Sequence, residues 1–363
     1  MFATRQGRRA LRSPRCVQRR QGHRDLHAIE HSFRPLNAVW DGTARHPCLA
    51  SRPSLDKCFC TCHFAEVAAD KYQTLRSLLE SYGSCLVAYS GGVDSVFLAF
   101  VAHQVLGEKS LAAIADSPSL PRRELDEALI LAEQFKFPVR VVRTREFDNP
   151  NYLANPSDRC YFCKHELFTE LAPLAAAERF AVLAYGENAS DVGDFRPGSK
   201  AASEFQVRAP LKEAGLTKSE IRELSAKLGL PTADKPQMAC LSSRIPYGEA
   251  VTPLKLQMIE AAENLLRDLG FYDVRVRHHE LSQGPKGPLA GASATRPGTP
   301  STAQPTPVFH LARIEVGPTE MPKFLANGTS VKVAESLKQI GYAHVTLDLQ
   351  GYRRGSTNEV LPS

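Results

Sequence analysis

Beyond about residue 66 two kinds of apolar pattern take turns along the chain. Cys85-Leu-Val-Ala-Tyr89 is an unbroken apolar run, as expected of a strand covered on both faces. Residues 111–115 and 181–185 carry the same signature, and 139–142 reads as a further strand interrupted by Arg140. Between these runs, residues 66–81, 93–106, 122–137 and 164–178 read as helices. Strands alternating with helices at this spacing predict an α/β fold with a parallel sheet covered on both faces. Ligands of such sheets sit beyond the carboxyl ends of the strands.

The pattern changes after Pro231, and 234–249 reads as loop. A helix at 253–269, short strands at 273–277, 311–316 and 344–348, and a helix at 330–340 predict a smaller α+β unit. The expected organisation is therefore a parallel-sheet domain over 66–249 and a second domain over 250–363. Residues 282–307 are dominated by Gly, Pro, Ser, Thr and Ala, which predicts a disordered insertion between two strands. Residues 1–65 show no trustworthy periodicity and read as a disordered or mis-annotated basic extension.

Charge and cysteine content narrow the function classes. Residues 1–64 hold twelve Lys/Arg against four Asp/Glu, more positive charge than the net +6 of all 363 residues. The remainder is near neutral, so a broad nucleic-acid surface is not indicated, although a local anion pocket is compatible with it. No apolar run approaches the ~18 residues of a membrane span, and the amino terminus lacks a secretory core. Nine cysteines in such a chain point to thiol or metal chemistry in the cytoplasm rather than to structural disulfides.

The sharpest local signal is Ser90-Gly-Gly-Val-Asp-Ser95, between an apolar strand and a helix. Adjacent glycines let backbone N–H groups converge at a helix amino terminus, a cradle for phosphate. In this reading the Ser90-Gly91-Gly92 turn cradles phosphate, with hydroxyl donors from Ser90 and Ser95, and Asp94 helps to hold Mg²⁺. No Walker A sequence occurs, which disfavours γ-phosphate transfer. Cys160 and Cys163 form a C-x-x-C pair whose spacing alone fits a metal half-site, a redox couple or chance. Asp191 and Asp194 follow a predicted strand end and read as Mg²⁺ ligands. Arg275 and Arg277 alternate on a predicted strand and share a face suited to a phosphate.

The Ser90–Ser95 segment resembles the pyrophosphate-binding loop, or PP-loop, of the ATP-pyrophosphatase superfamily. Further segments add detail: Ser117-Pro-Ser-Leu-Pro-Arg-Arg-Glu124, Arg159-Cys-Tyr-Phe-Cys-Lys164, Gly186-Glu-Asn-Ala-Ser-Asp191, Ala239-Cys-Leu-Ser-Ser-Arg-Ile-Pro-Tyr-Gly248 and Leu347-Asp-Leu-Gln-Gly-Tyr-Arg-Arg-Gly355. Together they resemble the LarE family of ATP-dependent sulfur transferases, which make the thiocarboxylates of the nickel-pincer nucleotide. The resemblance implies adenylation of pyridinium-3,5-biscarboxylic acid mononucleotide with release of pyrophosphate, then displacement of AMP by sulfur. It also implies Cys240 as nucleophile and sulfur donor and Arg275, Arg277 and Arg313 near the substrate phosphate; Arg244, near Cys240, reads as a substrate-binding residue and as a cation that favours the thiolate. With Cys240 as a third thiol, Cys160 and Cys163 would complete a [4Fe–4S] site. Homo-oligomerisation is implied by the resemblance alone. The rival readings are a tRNA-thiolating enzyme of the same superfamily and a non-catalytic nucleotide- or metal-binding protein.

Overall fold

A computed structural model describes residues 55–191, 197–236, 239–282 and 308–353, with side chains from Val67 onward. Asp194, the 283–307 stretch and residues 1–54 lie outside the described residues. The apolar runs form four parallel strands: β1 (Cys85–Tyr89), β2 (Ser110–Asp116), β3 (Val139–Arg143) and β4 (Val182–Tyr185). Their order is β3-β2-β1-β4. The chain thus winds outward from β1 on one side and then crosses to its other side, which opens a crevice at the carboxyl ends of β1 and β4.

Helix α2 (Val93–Leu106) follows β1 and is apolar nearly all round, with Val96, Phe97, Leu98 and Val101 buried. A helix of that kind belongs inside the molecule, and here it packs with α1 (Leu55–Tyr82) through Leu75 and Leu79. Helix α1 starts well before residue 66 and so reaches into the segment read as a basic extension. Helix α3 (Arg122–Gln134) stops short of residue 137, because Lys136 takes a left-handed φ of 57° and Phe137 turns back into the core.

The second sheet has the order β5-β6-β7, with β5 (Val274–Ser282) and β6 (Val308–Val316) antiparallel and β7 (His344–Leu347) parallel to β6. Both hairpin strands are longer than the sequence suggests. Val274, Val276, Ala312 and Ile314 pack on one face against the Pro253–Asp268 and Thr329–Ile340 helices. Strand alternation sends Arg275, Arg277, Arg313 and Glu315 to the other face. The molecule is therefore α/β, with a four-stranded parallel sheet and a separate mixed sheet. Among the described residues no helix is long and apolar enough to cross a membrane.

His278 lies on the core face of β5, fully buried, with its ring nitrogens 3.2 Å from the Tyr342 hydroxyl and 3.0 Å from His310 Nδ1. Burial, reinforced by His310 and Lys255, depresses its pKa to about 3. A folded-state value below the unfolded value of about 6.5 means that the stabilisation is full above pH ~6.5 and is lost as pH falls toward 3. Thermal melts should therefore drop between pH 7 and pH 5, and His278→Asn should flatten that slope.

Candidate active site

The loop after β1 is held by its own serines. Ser90 N–H donates to Ser95 Oγ at 3.1 Å, and Ser95 Oγ donates to Gly92 O at 3.0 Å. Gly91 has a φ of +71°, and a Cβ there would stand 2.9 Å from the Ala128 Cβ of α3. Only glycine meets both conditions. Gly92 is the residue before α2, with an ordinary φ of −81° and no closer neighbour for a Cβ than Ser90 Oγ at 3.5 Å. Asp94, in the first turn of α2, accepts from Lys218 Nζ at 2.5 Å.

Two cavities flank this loop. One, of about 230 Å³ and mainly apolar, lies beyond β1, β2 and β3 and is lined by Ser90, Gly92, Ser117, Glu146, Cys163 and Cys240. The other, of about 190 Å³, lies toward β4 and is lined by Asp94, Ser95, Tyr185 and Glu187. Ser90, Gly92 and Lys164 border both. Lys164 Nζ sits 4.6 Å from the centroid of the Tyr185 ring, and its stem crosses Gly198, where a Cβ would meet Cδ at 2.6 Å. An ammonium at the boundary of two cavities that share a phosphate-type loop suits a polyphosphate chain. A third cavity, of about 330 Å³, meets the first at Glu124 and is lined by Arg123, Lys235, Arg267 and Arg275 together with Glu127 and Asp273.

Cys240 enters the first cavity from a segment with little regular structure, which is fixed by contacts from several directions. Leu241 N–H donates to Ser119 O at 2.8 Å, Arg159 to Ser242 O at 2.9 Å, and Arg277 to Ser243 O at 2.9 Å. Asn155 Nδ2 donates to Pro246 O at 2.7 Å and Glu249 O at 3.0 Å. Arg244, expected beside the substrate, instead has no exposure. Its guanidinium donates to Glu263 at 2.8 and 3.2 Å, to Ala239 O at 2.7 Å and to Cys240 O at 3.0 Å. Burial alone would raise the Glu263 carboxyl, but Arg244 and Arg267 outweigh it and hold it below its ordinary value. Arg244 is thus a positioning residue for the cysteine loop.

The C-x-x-C pair lies on the first turn of the Arg159–Ala177 helix, not in a loop, with Cys160 exposed and Cys163 facing the cavity. Desolvation and then the charge of Cys240 push the Cys160 thiol up. The Cys163 thiol is pushed well above its ordinary value by burial, then by Cys240, Glu146 and Cys160. The three sulfurs are therefore electrostatic neighbours. Even so, among the described residues no group of three or more His, Cys, Asp or Glu stands together as ligands for a metal ion. No step is derived through a cluster. Asp191 is buried in a 3-10 turn, where it accepts from Asn188 N–H at 3.2 Å.

The arginines of the second sheet share a face as expected, and each is ion-paired. Arg277 lies directly opposite Arg313, and Glu315 joins them at 2.8 and 3.3 Å. Arg313 also reaches Asp348 at 2.5 Å. Arg275 stacks 4.7 Å from the Tyr352 ring centroid and is 3.6 Å from Asp273. Sequence reasoning missed Glu146, Lys218 and Glu263, and gave Lys164 no role beyond flanking the cysteine pair.

No family model matches the chain. An uncharacterized protein of Synechocystis is 40% identical to it over 80% of this chain and 98% of the relative. The pyridinium-3,5-bisthiocarboxylic acid mononucleotide synthase of Lactiplantibacillus plantarum is 32% identical over 81% of this chain and 95% of that protein. One of the subunits of the glutamine-hydrolyzing GMP synthase of Methanopyrus kandleri is 25% identical over 50% of this chain and 62% of that relative.

Proposed function

The chain belongs to the LarE family of pyridinium-3,5-bisthiocarboxylic acid mononucleotide synthases, and from that premise we propose that it is a cytoplasmic ATP-dependent sulfur transferase acting on pyridinium-3,5-biscarboxylic acid mononucleotide. The observation that carries this reading is the single cavity shared by the Ser90–Gly92 loop and the Cys240 thiol. A carboxylate bound there attacks the α-phosphorus of ATP, and pyrophosphate leaves. The acyl adenylate then lies within reach of the Cys240 thiolate, whose attack expels AMP and leaves a thioester; loss of the Cys240 Cα proton with cleavage of its Cβ–Sγ bond then releases the thiocarboxylate and leaves dehydroalanine.

Each part of the site has a task in this sequence. The loop N–H groups and Lys164 neutralise the phosphates, and the positive end of α2 adds to their field. Asp94 is the carboxylate nearest the loop and, with Asp191, would hold Mg²⁺, which when bound neutralises charge on the departing pyrophosphate. Arg275, which lines the charged third cavity, receives the phosphate of the mononucleotide, with Arg277 and Arg313 ordering the sheet face behind it. Cys240 supplies the sulfur, and Arg244 fixes its backbone. Assembly into a homo-oligomer belongs to the same proposal.

Pyrophosphate release from ATP tests the reading. It should require the pyridinium dicarboxylate, and release that is indifferent to that substrate or stimulated by tRNA would overturn it. Mass spectrometry after turnover should find Cys240 short of one sulfur. A control with iron and sulfide added anaerobically should leave that loss unchanged, since a renewable cluster would spare Cys240.

A further inference from the structure

Glu146 has no part in the scheme above, yet it is the most unusual group in the first cavity. It follows β3 and is 1% exposed. One carboxylate oxygen, Oε1, accepts from Ser117 Oγ and, at 3.4 Å, from Ser119 Oγ. The other, Oε2, is buried and has no hydrogen-bond partner among the described residues. The cations lining or backing the cavity are engaged elsewhere: Lys164 is stacked on Tyr185, Lys235 is held by Glu124 and Glu127, and Arg244 is held by Glu263. The carboxylate lines the same cavity as Cys163 and Cys240, and its charge is one of the causes that raise the Cys163 thiol. A buried carboxylate with an open oxygen is costly unless something else supplies positive charge or a donor.

We infer that Glu146 is a specificity-determining residue that selects a cationic ring as the acyl substrate. The inference rests on the proposed reaction. A carbonyl attacked by Cys240 must lie in this cavity, and in a pyridinium carboxylate the ring cation is joined to that carbonyl through two ring bonds. Wherever the acyl group is presented to sulfur, the cation travels with it into an apolar enclosure. Glu146 is the uncompensated anion of that enclosure, so the ring relieves the buried carboxylate while the carboxylate stabilises the ring. A neutral ring of the same shape would leave Oε2 desolvated and unmatched, which is how a buried polar group rejects a near-isostere. The two serines hold Oε1 and so aim Oε2 at the cavity.

The experiment compares two substrates in the full-length protein: the pyridinium dicarboxylate mononucleotide, and a neutral counterpart in which a benzene ring is joined through carbon to the same ribose phosphate. Single-turnover pyrophosphate release with each gives a ratio of second-order rate constants. Wild type should favour the cationic ring by about tenfold or more, and Glu146→Gln should bring the ratio to within about twofold, since charge discrimination is lost while shape is kept. ATP affinity and the melting temperature serve as folding controls and should be close to wild type. Equal use of both rings by wild type overturns the inference without any variant. A ratio unchanged in Glu146→Gln overturns it too, as does a variant that loses ATP affinity, which would assign the carboxylate to the adenine amino group. If wild type binds ATP but releases pyrophosphate with neither ring, the reaction itself is at fault.

Discussion

Replacing Gly91 with valine is expected to reduce pyrophosphate release by at least about a hundredfold, because the reacting phosphates are no longer held in place. Two independent obstacles stand at this position. A φ of +71° is unfavourable for any β-branched residue. Even an alanine would place its Cβ 2.9 Å from that of Ala128, in a helix packed against the loop, so α3 or the loop must move. A shift of about 1 Å at a phosphate cradle is enough to disrupt alignment. Gly92→Ala tests the reasoning from the other side. Its φ is ordinary and its nearest neighbour is a hydroxyl at 3.5 Å, so the protein should melt normally, and any loss should appear in ATP affinity. Equal melting temperatures and equal pyrophosphate release in wild type and Gly91→Val would refute the loop's assigned task.

Glu263→Ala should destabilise the protein by about 3–5 kcal/mol, as when one member of a buried ion pair is removed. Neither Arg244 nor Glu263 has any exposure, and Glu263 also receives Arg267 at 3.1 Å and the Val276 N–H at 3.1 Å. The carboxylate therefore ties the cysteine loop, the Pro253–Asp268 helix and β5 together. Urea denaturation would register the loss as a lower midpoint. A double replacement, Arg244→Met with Glu263→Leu, should recover much of the stability and little of the sulfur transfer, because the apolar pair no longer holds Ala239 O and Cys240 O. If the double variant regains full transfer, the pair is not positioning the loop.

The parts of this protein that were legible in its sequence are those set by local physics. Cys85–Tyr89 and the glycines after it announce a buried parallel strand followed by a tight glycine turn, and the structure places both where the pattern puts them. The same alternation that predicted a shared face for Arg275 and Arg277 holds on β5. What could not be read depends on distant partners. Arg244 looks like a free cation beside a cysteine until Glu263, nineteen residues away, is found beneath it. The Arg159–Ala177 helix begins earlier than expected because Arg159, anchored on Ser242 O, draws the two cysteines onto its first turn. Glu146 sits in a stretch with no motif of its own, and it matters only because β3 ends beside the loops of β1 and β2.

The tethering of the Cys240 segment has a consequence for the time course of catalysis. Fixing the backbone of one residue costs roughly 1–2 kcal/mol in entropy. Here Ser119, Asn155, Arg159, Arg244 and Arg277 impose that restriction once, when the chain folds, through bonds to nine backbone groups between Ala239 and Glu249. The adenylate then meets a thiol whose search is already over, so the single sulfur step open to each chain draws on order stored in the native state rather than on the binding energy of the substrate.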